Sequence, residues 1–232
     1  MNIFNLNNWL YKKPNIVQTT DRPFYLQDNN KPVTFDDFFK IVIVLDESGS
    51  MMNIRDEIIK SINELIEEQK QIKGRPSTFT LVKFNDKIKR VITNKLLTDI
   101  NGISYSNYRP SGSTSLYDAI GYTIDWFRNE KNVLMIIVTD GQENSSIKYS
   151  KMKINNMIDE KKEKNKWTYV YLSSDLNTEI QGNNIGLHQS YYTTNCRMEQ
   201  NNFGKFIGKS LNAAISGYRQ KGISVQSQLE NI

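Results

Sequence analysis

From Phe39 onward the apolar positions change from scattered to continuous. FKIVIVLD (39–46) is an unbroken run rich in β-branched residues that ends in aspartate, the pattern of a strand buried on both faces. Ile54, Ile58, Ile62, Leu65, Ile66 and Ile72 then recur at helical spacing among acids and lysines, until Gly74 and Pro76 stop the helix. STFTLVKF (77–84) alternates, Asn85-Asp86 is a turn pair and KIKRVI (87–92) follows, which predicts a hairpin with an antiparallel edge strand.

A loop rich in Ser, Asn, Gly and Pro (101–115) leads into a second helix with Leu116, Ile120, Thr123, Ile124 and Phe127 on one side. NVLMIIVTD (132–140) is a second buried strand ending in aspartate. Beyond it the pattern predicts a helix over 147–163, the strand WTYVYL (167–172), a helical segment near 174–183 and a short strand at 189–193. A last helix carries Phe203, Phe206, Ile207, Leu211, Ala214, Ile215 and Tyr218 on one stripe. Strands separated by helices require crossovers, so the expected fold is α/β and doubly wound. Its sheet is mainly parallel and six-stranded, with one antiparallel edge strand and helices on both faces.

Residues 1–38, polar and rich in Asn, show no sustained period and read as an N-terminal extension to a domain over 39–222, with 223–232 as a C-terminal tail. The 232 residues are 38% hydrophobic, enough apolar surface for a single core, which excludes global disorder. The longest apolar runs, 41–45 and 133–138, are far shorter than the roughly 20 residues that span a bilayer. MNIFNLNNWLYKK lacks a leading positive region and a small-residue cleavage site, and the lone Cys196 cannot form an internal disulfide. The expectation is an intracellular, cytoplasmic chain.

The net charge of +5 raises nucleic acid as a partner, but the lysines are dispersed. Their densest cluster, KKEKNK (161–166), reads as a solvated helix end, where cations are favoured.

In a doubly wound sheet, ligands bind beyond the carboxyl ends of the strands, at the switch in strand order. Three polar segments are candidates to converge there: DESGSM (46–51), PSGSTSLYDAI (110–120) and TDGQEN (139–144). Alternation turns Asp46, Ser48 and Ser50 toward one side, so that a carboxylate and two hydroxyls face a common point. These hard oxygen donors suit Mg²⁺, Mn²⁺ or Ca²⁺; with one histidine and one cysteine the chain lacks the usual zinc set. Alone, such a segment also serves as a turn and helix cap.

In that order, on that strand and helix pattern, DESGSM, GSTSLYDAI and VTDGQEN resemble the von Willebrand factor A family over about 39–220. The resemblance implies a metal-ion-dependent adhesion site at Asp46, Ser48, Ser50, Thr114 and Asp140. Ser48, Ser50 and Thr114 would bind Mg²⁺ (or Mn²⁺ or Ca²⁺) directly, with Asp46 and Asp140 acting through water or hydrogen bonds. It further implies that an Asp or Glu of a protein partner completes the coordination, and that the last helix, 199–219, can move with a change of ligands. YLSSDLNTEIQGNNIGLHQSY (171–191) is similar to the tail of intracellular bacterial and phage-type members. One departure is Ser113, where many members have a second glycine.

Other residues carry two readings each. Glu143 and Asn144 either hold a ligating water or form a solvated loop, and Asp118 either supports the ligands or supplies negative charge to a first helical turn. Tyr105, Tyr108 and Tyr117 are rim or framework, and His188 reads as surface or packing. GKFIGKS (204–210) is one residue short of a phosphate loop and lies within a helix, which excludes nucleotide binding there.

The leading function is therefore a metal-dependent protein-interaction module rather than an enzyme. The alternatives are Mg²⁺-dependent phosphoryl transfer and charge-driven nucleic-acid binding. Against the first stands Ser48, in the place where haloacid dehalogenase-like phosphatases carry a second aspartate.

Overall fold

A computed structural model describes residues 38–140, 142–173, 187, 193–194 and 206–229. Its strands are β1 (Phe39–Asp46), β2 (Ser77–Phe84), β3 (Ile88–Leu96), β4 (Val133–Thr139), β5 (Thr168–Ser173) and β6 (Thr193–Thr194), in the order β3-β2-β1-β4-β5-β6. The first five have full strand length and β6 is a two-residue margin. Only β3 is antiparallel, paired to β2, so the expected mainly parallel, doubly wound α/β architecture is the one found.

The helices are α1 (Arg55–Gln71), α2 (Leu116–Trp126), α3 (Lys151–Asn165), α4 (Asn212–Lys221) and α5 (Val225–Leu229). No helix among the described residues is long and apolar enough to cross a membrane.

Strand β1 shows why both faces must be covered. Every residue from Phe39 to Asp46 is buried. Phe39, Ile41, Ile43 and Leu45 join Ile58, Ile62 and Leu65 of α1 and Leu211, Ala214 and Ile215 near the chain's end. Val42 and Val44 join Leu116, Ile120 and Ile124 of α2 and Ile154 and Ile158 of α3 on the other face. The alternation of a pleated strand thus divides one apolar run between two cores.

Several boundaries differ from the sequence pattern, among them β3, which runs on to Leu96. The helix expected over 147–163 begins at Lys151, because the N–H groups of Ile147, Lys148 and Tyr149 are taken by the Asp118 carboxylate and Ser150 caps the helix by accepting from the Lys153 N–H. It runs on to Asn165, where Lys166 turns left-handed at φ 56°. The last helix starts in the described residues as a π-helical turn, Phe206–Leu211, before α4, and Gly222 closes it at φ 71°. Val225 and Leu229 of α5 are buried in the α1-side core. The segment at 174–183, His188, Cys196 and Phe203 lie outside the described residues, as does the extension up to residue 37.

The strand order places the functional ends. From β1 the chain travels outward to β2 and β3, then returns across the sheet through α2 to β4 on the other side of β1. The switch point therefore lies between the carboxyl ends of β1 and β4, where the run reaches Asp46 and Thr139.

Helix α2 sits tightly against Tyr149: a Cβ on Gly121 would lie 2.4 Å from that ring. The ring is held at its hydroxyl by Asp125 and at its backbone by Asp118, so it cannot yield cheaply. Gly121→Ala is expected to lower stability by about 1–3 kcal/mol, read by urea unfolding, through overpacking.

Candidate metal centre

Asp46 ends the central strand and is fully buried. Its carboxylate accepts from the Ser48 N–H at 2.7 Å on one oxygen and from the Thr139 hydroxyl at 2.6 Å on the other. The parallel register that pairs Leu45 with Val138 brings Thr139 beside it. Tyr108, also fully buried, donates its hydroxyl to the Asp46 carbonyl at 2.8 Å, so it is framework, while Tyr105 is 53% exposed beneath the Arg55 guanidinium.

From Asp46 the chain rises to the surface through Ser48, 2% exposed, and Ser50, which is exposed. The two hydroxyls stand 3.2 Å apart, and Ser50 donates to Asp140 Oδ1 at 2.6 Å. The Ser48, Ser50 and Asp140 oxygens are thus bonded in a row, and the Ser48 N–H ties that row to the Asp46 carboxylate, so the group spans two strand ends. Among the described residues no three His, Cys, Asp or Glu side chains gather as a metal cluster, so this set mixes two carboxylates with hydroxyls.

Thr114 comes from the second segment, 110–120, and is 3% exposed. Its loop is laced to the first through backbone bonds from the Ser111 N–H to the Glu47 carbonyl, 2.8 Å, and from the Gly49 N–H to the Gly112 carbonyl, 3.1 Å. The left-handed residue of the loop is Gly112, φ 83°. Ser113 is not left-handed, so a serine in place of the family's second glycine costs no backbone strain there. The Thr114 backbone is held by Asn144, whose side-chain oxygen accepts from its N–H at 2.9 Å.

Glu47 has a role its sequence position does not disclose. Its carboxylate accepts from Lys83 of β2 at 2.6 Å and from the Arg109 N–H at 2.7 Å, and Lys83 donates also to the Asn107 carbonyl. This buried pair fixes the 107–111 loop to the β1 end and commits the lysine away from Asp46. Thr139 was missed for a similar reason, although its place before Asp140 was a signal, since a strand-end hydroxyl beside a parallel neighbour's last residue can reach it. Glu143 and Asp118 are bound to backbone N–H groups. In KKEKNK, Lys161 turns inward to the Arg128 carbonyl and the rest ends α3.

Burial pushes the Asp46 carboxyl up from 3.8 to about 6. The hydrogen bonds from Thr139 and Ser48 pull against that rise, and the charge of Asp140 adds to it. Burial also raises Asp140, against the Ser50 hydrogen bond. Two ionised carboxylates in this setting call for a cation. Adjacent ligands of an octahedral ion with bonds of about 2.1 Å stand about 3 Å apart. The 3.2 Å and 2.6 Å spacings bracket that value, so the donor chemistry and spacing fit a small hard divalent ion.

Comparison with known proteins agrees with this architecture. The model of the von Willebrand factor type A domain family matches residues 40–215. No curated protein matches the chain. Among solved structures, the chain is similar to the PilB minor pilin from Streptococcus sanguinis at 14% identity and a TM-score of 0.56, over 84% of this chain and 65% of that one. It is also similar to proximal thread matrix protein 1 from the mussel byssus with a zinc-occupied MIDAS motif, at 17% identity and a TM-score of 0.51, over 74% of this chain and 45% of that one. The ArnB paralog VWA2 from Sulfolobus acidocaldarius matches at 17% identity and a TM-score of 0.46, over 64% of this chain, which spans 39% of that protein.

A raised folded-state pKa means that Asp46 stabilises the metal-free fold while protonated, and that this contribution is lost as pH rises through about 6. The loss is on the order of 3 kcal/mol. The rise in melting temperature given by excess Mg²⁺ over EDTA is therefore expected to grow as pH increases through that value. Asp46→Asn should melt at or above the metal-free wild type at neutral pH and show no Mg²⁺ shift. A pH-independent Mg²⁺ shift, or one retained in Asp46→Asn, would count against the assignment.

Proposed function

Because the chain belongs to the von Willebrand factor type A domain family, we propose that it is a metal-dependent protein-interaction module. In this reading a divalent cation, Mg²⁺ in the first instance, is held by Asp46, Ser48, Ser50, Thr114 and Asp140. The observation that carries it is the bonded hydroxyls of Ser48 and Ser50, joined to the Asp140 carboxylate on one side and, through the Ser48 N–H, to the buried Asp46 carboxylate on the other. Family members are in general interaction modules and mostly not enzymes.

The bound ion supplies one thing, a positive charge open to a further oxygen ligand. Ser48, Ser50 and Thr114 contribute neutral hydroxyls, so these three donors themselves add no compensating charge. Asp46 and Asp140 orient the hydroxyls and supply negative charge beneath them. Ser50 and Gly49 are exposed, so the site opens to solvent on the side where a partner's Asp or Glu would approach. The zinc reported in the MIDAS motif of the mussel protein belongs to that protein.

The match over 40–215 supports a domain that begins near residue 39 after an extension over 1–38, while residues 225–229 of the segment read as a tail over 223–232 pack Val225 and Leu229 into the domain's core. The single cysteine supports a reducing, intracellular setting.

Two experiments separate this reading from its rivals. Partner capture from a lysate should be lost with EDTA or in Ser48→Ala, should persist through moderate salt, and should require a specific Asp or Glu on the captured protein. Capture that survives both treatments but falls steeply with salt indicates a charge-driven nucleic-acid contact instead. A phosphatase assay with Mg²⁺ should give the same background rate for wild type and Asp46→Asn; turnover that disappears in the variant would establish the enzyme and overturn the module.

A further inference from the structure

Thr114 lies on a loop separate from both strand ends, and glycine at 112 makes that loop's backbone permissive. Asn144 grips it from two sides. The Asn144 side-chain oxygen accepts from the Thr114 N–H at 2.9 Å, and the Asn144 N–H donates to the Thr114 carbonyl at 3.0 Å. One residue thus completes both backbone bonds that a neighbouring strand would supply.

Asn144 is itself fixed by two carboxylates that point at backbone rather than at the metal centre. Glu143 accepts from the N–H groups of Tyr117 at 2.8 Å, Ser145 at 2.9 Å and Ser146 at 2.7 Å, and from the Ser146 hydroxyl at 2.6 Å. Asp118, in the first turn of α2, accepts from the N–H groups of Ile147, Lys148 and Tyr149 at 2.8–2.9 Å. The Asp118 N–H donates to the Ser146 hydroxyl at 3.0 Å. The segment 143–149 is therefore sewn across the start of α2 by bonds to ionised acceptors, the stronger kind. Its backbone geometry dominates the local balance: the Ile147 N–H is bound while its apolar side chain is 95% exposed.

Asp140 lies four residues before Asn144, so the same segment begins at one part of the metal centre and ends up holding another. We propose that Asn144 is a positioning residue for Thr114. Anchored by Glu143 and Asp118, it holds the Thr114 backbone to the segment 142–149 and so fixes how the Thr114 loop is presented to the ion. The inference rests on the reading of Thr114 as a metal ligand. It makes the acidic pair Glu143 and Asp118 a scaffold for the site rather than part of its ligand set.

The test is Asn144→Ala, with Mn²⁺ alone as the probe in calorimetric titration and amide hydrogen exchange at Thr114 in the EDTA-treated protein. Loss of an oriented supporting contact is expected to weaken Mn²⁺ binding by about 10–100-fold. It should also accelerate Thr114 exchange while leaving the metal-free melting temperature near that of wild type. Asn144→Asp keeps a side-chain acceptor and the main-chain N–H, and should restore slow Thr114 exchange and most of the affinity. Ser146→Ala removes the hydroxyl shared by Glu143 and Asp118, and should move both readouts in the same direction by less; it keeps the test available if Asn144→Ala does not fold. Mn²⁺ affinity within twofold of wild type in Asn144→Ala, or unchanged Thr114 exchange, overturns the proposal. Failure of the wild type to bind Mn²⁺ overturns the metal reading instead. The exchange data tell the two apart, because they report the Asn144 contact whether or not metal binds.

Discussion

A carboxylate at the end of a fully buried strand is under a charge-burial penalty that the fold must answer. Asp46 has no exposed surface, and it ends the apolar run 41–45. Two hydrogen bonds, from Thr139 and from the Ser48 N–H, offset part of that penalty, and the remainder shows as a carboxyl that holds its proton up to about 6. Lys83 is committed to Glu47 and the Asn107 carbonyl. At higher pH the ionised carboxyl is left to be balanced, and the proposed divalent ion would balance it.

The arrangement follows from connectivity. Because β1 is central and the chain switches sides between β3 and β4, the ends of β1 and β4 open into the same crevice and bring Asp140 to Ser50. The return path enters α2 through the 110–115 loop, which the Glu47 and Gly49 backbone draws over the same point. The proposed donor set combines the hydroxyls of Ser48, Ser50 and Thr114 with only two carboxylates, Asp46 and Asp140, whose charge no more than balances that of a divalent ion. A cluster of carboxylates would bind the ion more tightly and leave it less attractive to a partner's acid.

Much of this was legible in the chain because it is written in local pattern. The continuous runs at 39–46 and 132–140 announce buried parallel strands, and the aspartates that end them mark the crevice. The helical spacing from Ile58 to Ile66 appears intact in α1. What escaped depends on bonds between distant residues. Asp118 and the N–H groups it binds are about 30 residues apart, and no period in the sequence signals a carboxylate folded onto another segment's backbone. The same bonds delay the start of α3 to Lys151, a boundary that hydrophobic spacing placed earlier. Tyr108 looked equally suited to rim or framework, and only the tertiary position of the Asp46 carbonyl decides between them.

The central claim is that one divalent ion sits between the ends of β1 and β4, against the serine hydroxyls. Anomalous diffraction from crystals soaked in Mn²⁺ tests it most directly. The account predicts a single strong peak within bonding distance of Ser48 and Ser50, beside Thr114, with Asp46 and Asp140 in its immediate surroundings. A peak elsewhere on the molecule, or no peak in well-ordered crystals of this region, would contradict it.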